Sequence, residues 1–121
     1  MRFILSLTAF ILLSSPVNAQ EHQQHGVPSA VYGSGFTIFR QAMDASMEKM
    51  MDDMHAPGYT GNPDVDFLAM MIPHHQGAVE MARLVLIYGR DPVTRKFAEG
   101  IVAGQQTEIE SMKRRLEILR K

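Results

Sequence analysis

Two pairs of a capping residue and a proline restrict what this chain can fold into. Asn62 precedes Pro63, and Asp91 precedes Pro92. An Asn or Asp side chain accepts hydrogen bonds from the first free N–H groups of a helix, and proline suits the first helical position because no bond is needed there. The pairs therefore predict the starts of two helices, of which the first ends at Gly89.

A further helix is predicted before Asn62 from the spacing of apolar residues. They recur three and four positions apart, which places them on one helical face. Ser34 is the predicted cap, and the sequence HAPG at 55–58 is expected to stop the helix. The stripe consists of Phe36, Phe39, Met43, Met47, Met50 and Met54. Three helices joined by short loops predict an all-α, antiparallel up-down-up bundle.

The middle helix is expected to be central in this bundle. Its apolar arc covers about half of the circumference, which is too wide for one neighbouring helix. It should therefore pack between the other two helices or against a second subunit, and we predict a homodimer that completes the bundle. On the third helix, Gly100 and Gly104 are expected to allow close approach to another helix.

The amino-terminal residues are expected to lie outside the fold. Arg2, an apolar run over 3–13 and the small residues up to Ala19 are typical of a secretory signal peptide, so we predict a signal at 1–19 and a periplasmic or otherwise secreted protein. A retained membrane anchor is the alternative, although the run is short for a bilayer span. Residues 20–35 are predicted to form a flexible arm, and 36–121 the bundle domain.

Composition argues against nucleic acid and anionic membranes as partners and shows an unusual excess of methionine over leucine. Twelve basic and thirteen acidic residues nearly cancel, so the chain has no charge excess that favours nucleic acid or an anionic membrane. No cysteine is present, so disulfides cannot stabilise an exported protein of this size. Beyond residue 19 the chain holds nine methionines but five leucines. Ordinary helical cores prefer leucine because its rotamers specify packing better.

The methionines gather around two adjacent histidines in the middle helix. Met70 and Met81 share one row with His74, and Met71 shares the neighbouring row with His75. Pro73 precedes the pair and removes a hydrogen bond to the carbonyl of residue 69, which predicts a kink that re-aims the histidines.

Imidazole and thioether groups together favour a soft metal ion. Thioethers select Cu(I) or its analogue Ag(I), and imidazole accepts copper in either oxidation state. The alternative is that the methionines only fill the core, which is common for a stripe at helical spacing. The predicted ligands from the residues alone are His74, His75, Met70, Met71 and Met81, with Met47, Met51, Met54 and His55 from the first helix and Met112 from the third. Gln105 and Glu108 of the third helix are further candidate ligands.

A resemblance to a known family rests on two stretches, DFLAMMIPHHQGAVEMARLVL and, after it, YGRDPVTRKFAEGIVAGQQTEIESM. They closely resemble the family catalogued as domain of unknown function 305. Its better-known members are periplasmic copper- and silver-binding proteins of the CopM type. The resemblance implies a ferritin-like helical bundle and a location in the cell envelope. Its motif positions correspond to Met70, Met71, His74, His75, Met81 and Met112.

Other functions stay open at this point. A ferritin-like di-iron oxidase typically needs Glu-x-x-His on two helices, and this chain has no such motif. A copper oxidase or a metal-free interaction module are further alternatives, and no nucleophile–base pair is recognisable. If cleavage follows Ala19, a free amine, two amides and His22 could bind Cu(II) or Ni(II) in a plane, with His25 assisting transfer.

Overall fold

A computed structural model describes residues 33–121 of the chain as three α-helices. They are α1 at Ser34–His55, α2 at Pro63–Tyr88 and α3 at Pro92–Leu119, and this part of the chain contains no strand. The prediction of an all-α antiparallel bundle is therefore confirmed. The predicted signal at 1–19 and residues 20–32 of the predicted arm, including His22 and His25, lie outside the described residues.

The two cap-and-proline pairs begin helices as the sequence predicts. The Asn62 side chain accepts hydrogen bonds from the backbone N–H groups of Asp64 and Val65, at 3.0 and 3.4 Å. The Asp91 carboxylate accepts a hydrogen bond from the Thr94 N–H at 2.6 Å. Hydrogen bonding with Thr94 holds the pKa of Asp91 below its usual value. Gly89 follows α2 as its C-cap, so both predicted ends of α2 are confirmed.

The predicted cap of α1 is wrong. Ser34 is already the first helical residue, and Gly33 occupies the cap position without a side-chain hydrogen bond. The Gly33 carbonyl accepts from the N–H groups of Phe36 and Thr37, so the helix begins two residues earlier than the apolar stripe suggested. The other end of α1 falls at His55, ahead of Pro57, as expected.

α2 is the central helix, which confirms the expectation from its wide apolar arc. Both α1 and α3 pack along it, whereas α1 and α3 make little contact with each other. α2 supplies six of the buried residues and α3 three, while α1 has none. One core cluster joins the start of α2 to the end of α3 through Val65, Ala69 and Leu116. The three helices thus form nearly a single layer around α2.

The glycine that allows close helix contact is Gly77, not the predicted pair on α3. A Cβ atom at Gly77 would lie 2.6 Å from the Met50 Cγ and Sδ atoms, so α1 approaches α2 closely at this point. Nothing lies within 4 Å of a Cβ atom placed at Gly100 or Gly104, so neither contacts another helix within the described chain. The prediction for these two glycines is therefore wrong within one copy of the chain.

Two opposite faces of α2 differ in character. The first is polar: Gln76, Glu80 and Arg83 line a groove of about 240 Å³ with Lys49 and Asp53 of α1 and Gln106 of α3. The hydrogen bond from Lys49 to Asp53 raises the pKa of the lysine. The other, which we call the methionine face, lies on the reverse side of the helical wheel. It contains Phe67, Met71, His74, Ala78, Met81 and Val85.

Within the described residues, none of the three helices combines the length and the apolar character that a bilayer span requires.

Candidate functional site

A short loop brings the end of α1 against the start of α2. Pro57 prevents α1 from continuing, and Gly58 and Gly61 both adopt positive φ angles of 64° and 89°. Residues with a Cβ atom rarely adopt such angles, so these two glycines allow the chain to reverse within a few residues. The reversal places Met54 and His55 of α1 beside Met70 of α2.

Asp66 fastens this loop to α2. Its Oδ1 atom accepts hydrogen bonds from the Thr60 N–H at 2.8 Å and the Thr60 hydroxyl at 2.7 Å, and its Oδ2 atom accepts one from Gly61 N–H at 3.1 Å. Bonds to the ionised form favour it, so the Thr60 hydroxyl and N–H lower the pKa of Asp66. The carboxylate therefore stays charged beside the residues that the loop positions.

These residues surround a small cavity, which we call the His55 cavity. Its volume is about 70 Å³, enough for an ion with a few water molecules. Two methionines and one histidine line it, from two different helices, together with Asp66. The lining consists of Met54, His55, Pro57, Gly58, Tyr59, Asp66 and Met70.

The His55 ring is held by a hydrogen bond that determines its tautomer. Nδ1 lies 2.7 Å from the carbonyl oxygen of Met51, and a carbonyl can only accept, so Nδ1 carries the proton. In the neutral ring the lone pair is then on Nε2. Histidines that bind metals usually donate their second ring N–H to such an acceptor, which fixes ring orientation.

His75 has the same local bond but a different second partner. Its Nδ1 lies 3.0 Å from the carbonyl of Met71, and its Nε2 lies 2.7 Å from Oε2 of Glu108 on α3. The His75 side chain is 13% exposed, whereas the Glu108 side chain is 64% exposed. Both ring nitrogens therefore face oxygen atoms, one on each of two helices. His75 therefore links α2 to α3.

His74 lies next to His75 with a ring-centroid separation of 5.8 Å and an interplanar angle of 61°. Its Nδ1 atom is buried and has no hydrogen-bond partner, and the Oε1 atom of Gln105 is in the same condition. Buried polar atoms normally have a partner, so an unpaired one is a place where an ion or water is expected. His74 lies on the methionine face with Met71 and Met81.

The structure separates the ten predicted ligands into distinct surroundings. Met54, His55 and Met70 share the His55 cavity, and His75 pairs with Glu108. Met71, Met81 and Met112 are half-buried, and Met47 and Met51 are exposed at 41% and 48%. Among residues 33–121, no three His, Cys, Asp or Glu side chains come together as a metal site.

Sequence reasoning missed Asp66 as a residue of the site. Its position in the first turn of α2 suggested only a favourable interaction with the helix dipole. The signal that could have identified it is Thr60, six residues earlier beside a glycine, because such loops need an acceptor for their free N–H groups. The sequence offers Glu108 as a candidate ligand. It does not predict the pairing with His75, because that pairing depends on the contact between two helices.

Comparison with known proteins places the chain in a family. No curated protein matches it significantly. Residues 18–116 match the family described as "Domain of unknown function (DUF305)", which covers most of the chain and all three helices up to the last turn of α3. The chain belongs to the DUF305 family.

Proposed function

We propose that this protein binds Cu(I), and Ag(I) as its analogue, through methionine and histidine side chains, and that it sequesters or carries copper outside the cytoplasm. The observation that supports the proposal best is the His55 cavity, where two methionines and a histidine from two helices line one small space. Soft, neutral sulfur ligands favour Cu(I) over harder ions. The envelope location is proposed from the signal-like sequence at 1–19.

The chemistry of the cavity fits a monovalent soft ion. His55 Nδ1 is occupied by the Met51 carbonyl, so Nε2 is the nitrogen that remains for a metal. Met54 and Met70 would add two sulfur ligands, giving a three-coordinate set. The Asp66 carboxylate already accepts three hydrogen bonds, so it contributes negative charge nearby rather than a free ligand.

The methionine face is a second place where the same ion would be held. His74 has a buried, unpartnered Nδ1 atom, and Met71 and Met81 lie on the same side of α2. An ion at Nδ1 would remove the cost of leaving that atom without a partner. Met47, Met51 and Met112 are the remaining predicted ligands, and they extend the proposed copper-binding surface onto α1 and α3.

A di-iron or copper oxidoreductase and a metal-free interaction module are the competing functions. A di-iron centre would require clustered carboxylates and histidines, which residues 33–121 do not bring together. The proposed Cu(II) site at His22 and His25 concerns residues outside the described part and is independent of the cavity.

Competition between metals tests the proposal directly. The purified protein is titrated with Cu(I) against a chelator of known affinity, and in parallel with Zn(II) and Fe(II). We expect Cu(I) to bind far more tightly than either. The double variant Met54→Leu, Met70→Leu keeps apolar volume and removes both sulfurs, so it should lose the Cu(I) ion held at the His55 cavity while the helical content stays unchanged. A preference for Zn(II), or unchanged Cu(I) affinity in the double variant, would contradict the proposed site.

A further inference from the structure

One side of α3 carries exposed apolar residues beside two glycines that contact no other helix of the described chain. Phe97 is 70% exposed and Ile101 is 40% exposed. Gly100 and Gly104 are exposed as well, with open space where their Cβ atoms would be. We propose that this stripe (Phe97, Gly100, Ile101 and Gly104) is the surface on which a second copy of the chain packs, α3 against α3, antiparallel.

The stripe lies beside the surface of α3 that already contacts α2. Ala98, Ile109 and Leu116 are the buried residues of α3, and they point toward α2. At about 100° per residue, the four stripe residues fall within a neighbouring sector roughly 100° wide. A helix from another molecule can therefore lie along the stripe without displacing α2.

The arrangement of large and small residues identifies the partner as a second copy. In an antiparallel pair related by a two-fold axis, position 97 of one helix faces position 104 of the other, and 100 faces 101. Each large side chain then meets a glycine: Phe97 lies over Gly104, and Ile101 lies over Gly100. The same pairing occurs twice because a two-fold interface uses one patch on both subunits. The stripe is thus complementary to itself.

The rest of the fold gives a physical reason for such packing. Because the helices form nearly a single layer, no side chain among the described residues is fully buried. A second layer would bury apolar surface that one copy leaves exposed, which is the main favourable contribution to association. Glu108 follows Gly104 by one turn, so the interface would end beside the His75–Glu108 pair.

The experiment uses glycine substitutions that separate folding from association. Sedimentation equilibrium of the purified protein, with a chelator present so that copper plays no part, should show a monomer–dimer equilibrium. In Gly100→Ala, Gly104→Ala, two methyl groups meet nothing within one copy, so the isolated fold should gain thermal stability because alanine favours helix. The same methyl groups would keep the partner helix away, and we expect dimer affinity to fall at least about tenfold.

Two further variants make the outcome decisive. Gly35→Ala is the matched control, because its added Cβ atom also meets nothing and it lies on α1; its dimer affinity should equal that of the unmodified protein. Phe97→Gln should weaken the dimer as the glycine variant does. A protein that remains monomeric at all concentrations would overturn the proposal. So would a dimer whose affinity is unchanged by the glycine variant or Phe97→Gln.

Discussion

His55 and His75 start from the same local geometry and end in different surroundings. Each has Nδ1 near a carbonyl four residues earlier in its own helix, at 2.7 Å for His55 and 3.0 Å for His75, so Nδ1 donates to that carbonyl in both. The Nε2 atom of His75 faces the Glu108 carboxylate on α3. His55 instead lines a cavity together with Met54 and Met70.

In both cases the helix occupies Nδ1 and leaves Nε2 available. The neighbouring part of the fold then determines which group Nε2 meets. His75 lies mid-helix where α3 brings a charged oxygen, so its second nitrogen contributes to the contact between two helices. His55 is the last residue of α1, where the following loop forms a cavity that Met54 and Met70 also line. Copper chemistry is therefore expected mainly at the helix end, although the adjacent histidines were the more conspicuous feature of the sequence.

The largest effect should appear when the two histidines are exchanged for alanine separately. Changes outside the ligand sphere of a metal typically cost about 10- to 100-fold in affinity, so loss of a ligand should cost about 100-fold or more. We expect His55→Ala to lower Cu(I) affinity by at least that factor. His75→Ala should lower it by less than about 10-fold, measured by chelator competition.

The reverse ranking would locate the strongest site at the His74–His75 pair, as the sequence motif suggested. Circular dichroism of both variants serves as the control, since both histidines are on helices and a loss of helix would make the affinities incomparable.

A second prediction concerns a substitution at Gly77 that should move α1 while leaving α3 in place. In Gly77→Ala the new Cβ atom would lie 2.6–2.7 Å from the Met50 Cβ, Cγ and Sδ atoms, so α1 must shift. Overpacking typically costs about 1–3 kcal/mol, against a gain of about 1 kcal/mol from replacing a helical glycine. We expect a net loss of about 1 kcal/mol in urea unfolding. Cu(I) affinity should fall with it.

Gly100→Ala provides the matched control for that measurement, because the added methyl group has open space within the chain. At protein concentrations where the chain is monomeric, it should increase the free energy of unfolding and leave Cu(I) affinity unchanged. If Gly77→Ala is as stable as Gly100→Ala, then α1 does not depend on the close contact at Gly77.

Some features of the fold and the site could be predicted from the sequence, and others could not. Local signals were sufficient where neighbouring residues determine the structure: Asn62 and Asp91 cap helices, and the wide apolar arc makes α2 central. The glycine prediction failed because periodicity cannot tell whether a neighbour lies over Gly100 or over Gly77. The placement of Met54 near Met70 also depends on how the loop reverses, which a pattern of methionines does not specify.

A smaller effect is expected at the other histidine. Glu108→Gln keeps the side-chain shape and a hydrogen-bonding amide but removes the charge that faces His75 Nε2. Because Glu108 is 64% exposed, solvent screens the pair, and the free energy of unfolding should fall by no more than about 1 kcal/mol. Cu(I) affinity should stay unchanged. A marked loss of affinity would show that Glu108 helps to hold the metal, and the two histidines would then not be functionally distinct.

The smallest effect concerns the loop beside His55 and its dependence on pH. The hydrogen bonds from Thr60 lower the pKa of Asp66 in the folded protein relative to the unfolded chain. A carboxylate whose pKa is lower in the folded state contributes stability above its unfolded pKa, about 3.9, and that contribution is lost as the pH falls through the folded pKa. Asp66→Asn should therefore be less stable than the unmodified protein near neutral pH, with the difference shrinking as acid protonates Asp66. Urea midpoints between pH 2 and 6 measure this. Asp91→Asn, at the cap of α3, is the control, since the pKa of Asp91 is also lowered by hydrogen bonds to its carboxylate. It should show the same acid dependence, yet only Asp66→Asn should weaken Cu(I) binding, because only Asp66 borders the His55 cavity. Equal Cu(I) affinity in the two variants would mean that the loop does not position His55.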